Sequence, residues 1–289
     1  WREWDLLSRT KLLAFAEARR DNASDHGNID TVVKRSEDGG KTWSAEIIAA
    51  DDGDNTMGNP CPVVDQDTGR IWLHLCWNAD NAPENGLQPG FGKDSRRGFV
   101  TYSDDDGKTW ATPKEVTQQV KKENWSWYAT GPGGGIQLTR GKHKGRLIIP
   151  ATHRAHSPKT GTSNHGFIVY SDDHGKTWNI GGPTVAGLNE AMAAELENGN
   201  VMLNCRLHGA GTSSQNHRGV SISGDGGKTF GRHYFDKTLL EPRCQGSLRR
   251  VRWVKDGKPG VIAFSTPAYP WRSHVMVRYS YDDGRTWPA

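Results

Sequence analysis

One octapeptide, S-x-D-x-G-x-T-W, recurs along this chain and narrows its possible folds more than any other feature. It stands at Ser36–Trp43, Ser103–Trp110, Ser171–Trp178, Ser223–Phe230 and Ser280–Trp287, with Phe closing the fourth copy. Successive copies lie roughly 50 to 70 residues apart, a period typical of repeated supersecondary units. Each follows an apolar, β-branched run such as Phe99-Val100-Thr101-Tyr102 or Phe167-Ile168-Val169-Tyr170, which reads as a strand. In the turn, Ser and Asp side chains bond to nearby backbone while the glycine supplies a positive φ. The closing aromatic is then expected to fold back onto its sheet.

Hairpin patterns fill the intervals. Val63-Val64 and Ile71-Trp72-Leu73 flank an Asp/Gly turn, Ile136-Gln137-Leu138 pairs with Leu147-Ile148-Ile149, and Ala193-Ala194 faces Val201-Met202-Leu203 across Glu197-Asn198-Gly199-Asn200. Each unit is thus an inner strand A, then B, then C, with the octapeptide leading from C to D. That is the blade of a β-propeller, and without a linker-like stretch residues 1–289 read as one domain. The strand order puts every octapeptide on one face. The starts of A, the ends of B and the B–C loops lie on the other, where functional groups are expected to gather.

Composition agrees and excludes several classes. The chain has 35 Gly, 14 Pro and 12 Trp with 34% hydrophobic residues, a profile of short strands and tight turns. No apolar run is long enough to cross a membrane. The net charge of +4 is scattered, without the basic stripe of a nucleic-acid reader. Cys61, Cys76, Cys205 and Cys244 form no CxxC pair and read as buried thiols. The acidic turn Asp104-Asp105-Asp106-Gly107 superficially suits calcium, but its flanks read as strands and it lacks the twelfth-position glutamate of a calcium loop. The sequence calls for no metal and no cofactor.

Five charged residues fall on the functional rim. Arg19 follows the strand Leu12–Glu17, Asp25 lies in the next loop, Glu190 stands before an inner strand, Arg206 ends a B strand, and Arg272 sits in a B–C loop. Singly each is an ordinary surface charge. Their shared placement makes them candidate site residues.

The octapeptides resemble the Asp boxes of sialidases, the exo-alpha-sialidase glycosidases with a six-bladed all-β propeller of four-stranded antiparallel blades. The segment LLAFAEARRDNASDHGNID is similar to the family stretch that holds a pocket arginine and the acid/base aspartate, which implies those roles for Arg19 and Asp25. LNEAMAAELENGNVMLNCR is similar to the stretch with the glutamate that activates the nucleophile and the second arginine of a triad, hence Glu190 and Arg206. Glu195 and Arg218 are their respective competitors. FSTPAYPWR is similar to the segment with the third arginine, hence Arg272. Arg2 is the candidate for the first, although the family's Ile-Pro after it is missing. The resemblance implies hydrolysis of terminal sialic acids from glycans, with sialylated glycans as partners and a secreted, periplasmic or lysosomal setting. It also implies a tyrosine nucleophile beyond Arg272. The chain ends seventeen residues after Arg272 and no tyrosine here has that context, so the expected sixth blade is incomplete and the chain reads as truncated. A non-catalytic sialic-acid-binding propeller and an Asp-box propeller for protein interaction are the alternatives. Asn59, Met57 and Tyr128 are placed in loops within reach of the pocket.

Overall fold

A computed structural model describes residues 11–83, 86–157, 161–208, 216–268 and 271–288. Arg2 therefore lies outside the described residues. The strands run in five successive antiparallel groups. The first holds β1 (Leu12–Arg19), β2 (Ile29–Ser36) and β3 (Ile47–Ala50). The second holds β4 (Thr56–Val64), β5 (Ile71–Asn78), β6 (Arg97–Ser103) and β7 (Lys114–Glu115). A single helical turn, α1 (Thr117–Val120), leads to the third: β8 (Trp125–Thr130), β9 (Ile136–Gln137), β10 (Leu147–Ser157), β11 (Gly161–Ser171) and β12 (Asn179–Pro183). The fourth is β13 (Leu188–Glu195), β14 (Val201–Leu207), β15 (His217–Ser223) and β16 (Arg232–Leu240). The fifth is β17 (Ser247–Arg252), β18 (Val261–Ala268) and β19 (Ser273–Ser280). The first two groups touch through one parallel pairing, Ile29 with Thr56.

These groups are the blades of an all-β propeller with an unclosed ring. One octapeptide stands in each group, at the ends of β2, β6, β11, β15 and β19. Among the described residues the first and the fifth groups each hold three strands, and the unclosed ring is what an incomplete blade leaves.

The octapeptide turns hold themselves together. In the second copy the Ser103 hydroxyl donates to Asp105 Oδ1 at 2.8 Å and accepts from the Gly107 N–H at 2.8 Å. Asp105 also accepts from the Thr109 N–H at 2.9 Å and the Thr109 hydroxyl at 2.6 Å. The other four copies repeat the pattern around Asp38, Asp173, Asp225 and Asp282. These bonds to the carboxylate hold its pKa down, to about 2 at Asp38 and Asp225. The acidic turn that superficially suited calcium has its neighbours engaged as well, Asp104 with Arg70 and Asp106 with Lys11.

The closing aromatics reach further than expected. Trp110 of the second blade meets Phe15 of the first at 5.6 Å, edge to face, and Trp178 of the third meets Trp72 of the second at 6.1 Å. Phe230 of the fourth joins Leu138, Ile148 and Ile168 of the third. These three aromatics thus wedge their blades against the preceding one, whereas Trp43 of the first is 43% exposed, and the buried clusters lie between blades. All four cysteines are buried and unpaired, and burial pushes the Cys205 thiol up to about 12.

Candidate active site

A cavity of about 900 Å3 opens on the face opposite the octapeptides and is lined by Arg19, Asp25, Glu190, Arg206 and Arg272 among others. Five candidates read from separate stretches of the sequence are brought to one place. Strand geometry does this: β1 and β14 both end at this face, β13 begins there, and the loops after β1 and β18 cross it.

Arg19 is the last residue of β1, paired with Ile29. Its Nε and Nη2 donate to Glu17 Oε2 at 3.2 and 3.0 Å, and its Nη1 meets the Ala23 carbonyl and Asp25 Oδ1, both at 2.8 Å. Burial alone would lower the Arg19 pKa. Hydrogen bonds and charge from Glu17 and Asp25 outweigh it and hold the group above its ordinary value. Asp25 projects from the rim, its side chain 77% exposed.

Glu190 and Arg206 face each other across β13 and β14 at a bulge between Leu188 and Ala191. Arg206 Nη1 donates to Glu190 Oε2 at 2.7 Å, and both side chains are mostly buried. Arg206 Nε is buried with no partner. A buried guanidinium donor left open suits a carboxylate ligand, which accepts through two oxygens. Arg272 also lines the cavity, with Nη2 donating to the Arg243 carbonyl at 2.6 Å.

The two competitors are placed elsewhere. Glu195 is 4% exposed and spends both oxygens on the Thr139 and Arg140 N–H groups and the Thr139 hydroxyl. Arg218 is fully buried, with bonds to Asn204 and the Cys244 carbonyl. Neither lines the cavity.

Other residues of the cavity went unread in the sequence. Glu17 lies two residues before Arg19 on the same face of β1, a spacing that period-two alternation could have revealed. Its Oε1 accepts from the Asn59 N–H at 2.7 Å, so one carboxylate couples the first two blades. Asn59, which does reach the cavity, sits in a bulge of β4 with φ +52°, a left-handed conformation asparagine tolerates. The bulge re-aims its side chain, whose Oδ1 accepts from Arg96 Nη2 at 2.6 Å. Arg96 is 4% exposed and lies over the Trp127 ring at 3.9 Å. Met57 and Tyr128, by contrast, are buried members of β4 and β8 rather than loop residues, and neither reaches the cavity.

The family model described as a BNR repeat-like domain matches residues 10–289. The chain is 32% identical over 293 aligned positions to a sialidase of Bacteroides fragilis, covering 96% of this chain and 51% of that protein. It is 31% identical to an exo-alpha-sialidase of Aspergillus fumigatus, covering 94% of this chain and 65% of that protein. The solved structure of a Hadza microbial sialidase superposes with a TM-score of 0.85 at 32% identity, over 97% of this chain and 55% of that one. The chain belongs to the BNR repeat-like sialidase family. It spans 51% and 65% of the length of those two curated sialidases. The propeller inferred from the Asp boxes is the sialidase propeller.

Proposed function

We propose that this chain carries the carboxylate-binding and acid/base groups of an exo-alpha-sialidase acting on terminal sialic acids of glycoproteins, glycolipids and oligosaccharides. The observation that carries the reading is the convergence of Arg19, Arg206 and Arg272 with Asp25 and Glu190 around one cavity. Sialic acid bears a carboxylate on its anomeric carbon. Arg206 and Arg272 receive it through charge-assisted hydrogen bonds, and the unpartnered Arg206 Nε supplies one of the donors. Arg19, held by Glu17, fixes the ring from the opposite side.

Asp25 acts as general acid. Its carboxyl proton passes to the glycosidic oxygen as the bond from that oxygen to the anomeric carbon breaks, and the leaving sugar departs as an alcohol. Positive charge growing on the anomeric carbon is stabilised by the carboxylates nearby. Glu190 serves as the base that takes the proton of the attacking group. A carboxylate nucleophile would meet the substrate's own carboxylate, which is why sialidases use tyrosine. No tyrosine of this sequence matches the family's nucleophile context, so no residue of this chain is assigned that step.

The reading is tested with a fluorogenic sialoside and with binding of the α-methyl glycoside of sialic acid. Saturable binding that Arg272→Ala and Arg206→Ala each weaken by about tenfold or more, from loss of a charge-assisted contact, is expected. Absence of binding overturns the proposal. Binding without hydrolysis, persisting in a version extended beyond Ala289, would favour a sialic-acid-binding propeller instead.

A further inference from the structure

On the octapeptide face, away from the cavity, the turn between β4 and β5 meets the octapeptide of the third blade. Asp65 and Asp67 come from the turn, and His174 comes from the octapeptide, 109 residues on from Asp65. One ligand atom of each, a carboxylate oxygen or an imidazole nitrogen, lies within 4.8 Å of the other two. We propose that these three side chains bind one divalent transition-metal ion of the zinc type, and that the ion staples the second blade to the third. The proposal stands apart from the sialidase reading and uses none of its residues.

Geometry and charge carry it. His174 Nδ1 stands 3.0 Å from Asp65 Oδ2. That separation suits a shared proton, and it is also close to the edge of roughly 3.3 Å in a zinc tetrahedron with bonds of about 2.0 Å. The Asp65 side chain has no exposed surface, so its carboxylate charge has to be compensated inside the protein. Among the described residues its hydrogen-bond partners are the Thr68 hydroxyl, the Asp67 N–H, the Gln137 amide and the His174 imidazole, at 2.8, 3.1, 3.2 and 3.0 Å. None of these carries a fixed positive charge. Arg70, whose charge also acts on Asp65, spends its guanidinium on Asp104. A metal ion would accept an electron pair from the imidazole and from the carboxylates, and would supply the missing charge.

The surroundings hold the three ligands in place. Gln137 Nε2 donates to Asp65 Oδ1 and Asp67 Oδ2 at 3.2 and 2.9 Å, which orients both carboxylates from outside the ligand set. His174 has φ +60°, and its carbonyl accepts from Trp72 Nε1 at 3.0 Å, so its backbone is fixed before an ion arrives. The turn itself does not demand histidine: Asp106 and Asp283 occupy the same position of their copies at φ +59° and +62°. Asp67 is exposed and the His174 side chain is 48% exposed, which gives an ion a way in and leaves the fourth position to water. The imidazole selects against calcium and magnesium, which take oxygen ligands.

The experiment strips the full chain with a chelator, dialyses it against zinc chloride, and measures bound metal and melting temperature. One zinc per chain is expected, with a rise in melting temperature of roughly 5 °C at a hundredfold excess of free zinc over its Kd. Calcium chloride is expected to give no rise. His174→Asn keeps a residue that tolerates the left-handed backbone, and Asp67→Asn keeps an acceptor for Gln137. Each variant is expected to lose the zinc and the rise while melting within about 2 °C of the stripped parent, which also reports that it folds. Absence of zinc from the parent chain, undiminished zinc in either variant, or a rise with calcium equal to that with zinc overturns the site.

Discussion

Arg218→Met tests how the site is supported from behind. Arg218 lies on β15 with no exposed surface. Its Nε donates to Asn204 Oδ1 at 2.7 Å, its Nη1 to the Cys244 carbonyl at 3.0 Å and its Nη2 to the Asn204 carbonyl at 3.3 Å. Burial lowers its pKa, and the charge of the equally buried Glu241 opposes that. Glu241 in turn accepts from the N–H groups of Leu207 and Cys244 at 3.3 and 2.7 Å. Asn204 and Leu207 flank the stretch of β14 that presents Arg206. Methionine keeps most of the volume but removes the donor from the buried Asn204 Oδ1 and the Cys244 carbonyl, each costing about 1–3 kcal/mol, and leaves Glu241 without its countercharge. No longer burying a guanidinium offsets part of this. The net expectation is a loss of about 3–5 kcal/mol, a large share of the roughly 5–15 kcal/mol that stabilises a domain. Urea unfolding followed by tryptophan fluorescence measures it, with the midpoint falling and the slope unchanged. A loss below about 1 kcal/mol refutes the reasoning, since one net hydrogen bond is worth that much. If stability held while sialoside binding vanished, Arg218 would displace Arg206 as the substrate arginine.

Three variants separate the two glutamates and the turns. Glu195→Gln should lower the melting temperature and leave sialoside affinity within about twofold, because its carboxylate serves backbone N–H groups worth about 1.5–3 kcal/mol each. Glu190→Gln should do the reverse, and a shared effect of both on stability alone would remove Glu190 from the site. The Asp-box carboxylates have folded pKa values below the ordinary ~4 of an unfolded aspartate. Their contribution is therefore complete above pH ~4 and is lost as pH falls through the folded values, about 2 for Asp38 and Asp225. Acid unfolding monitored by circular dichroism should steepen in that window, and Asp225→Asn should flatten the curve there. An unaltered acid profile in that variant would contradict the role of the turn.

The fold was legible because the Asp box is a local device. Ser103, Asp105, Gly107 and Thr109 bond to one another within a few residues, so sequence spacing alone carries the turn and its period carries the blade. The destination of Trp110 and Trp178 was not legible, since their partners Phe15 and Trp72 come from the preceding blade. In the site, Arg19, Asp25, Glu190, Arg206 and Arg272 could be read as charges at strand ends on one face. Their mutual geometry could not, because the Glu190–Arg206 pair depends on a bulge. Asn59 reaches the cavity through another bulge and a left-handed backbone. Arg96 gains its place by packing on Trp127, thirty-one residues away in the next blade. Tyr128 was misplaced in a loop because its neighbours Trp125 to Thr130 include polar residues, yet the strand is almost wholly buried between blades.

A crystal structure of this chain soaked with the α-methyl glycoside of sialic acid tests the central claim most directly. The account predicts the sugar carboxylate against Arg206 and Arg272 and the glycosidic oxygen within hydrogen-bond distance of Asp25. A sugar bound outside this cavity, or one whose carboxylate turns away from both arginines, would contradict it.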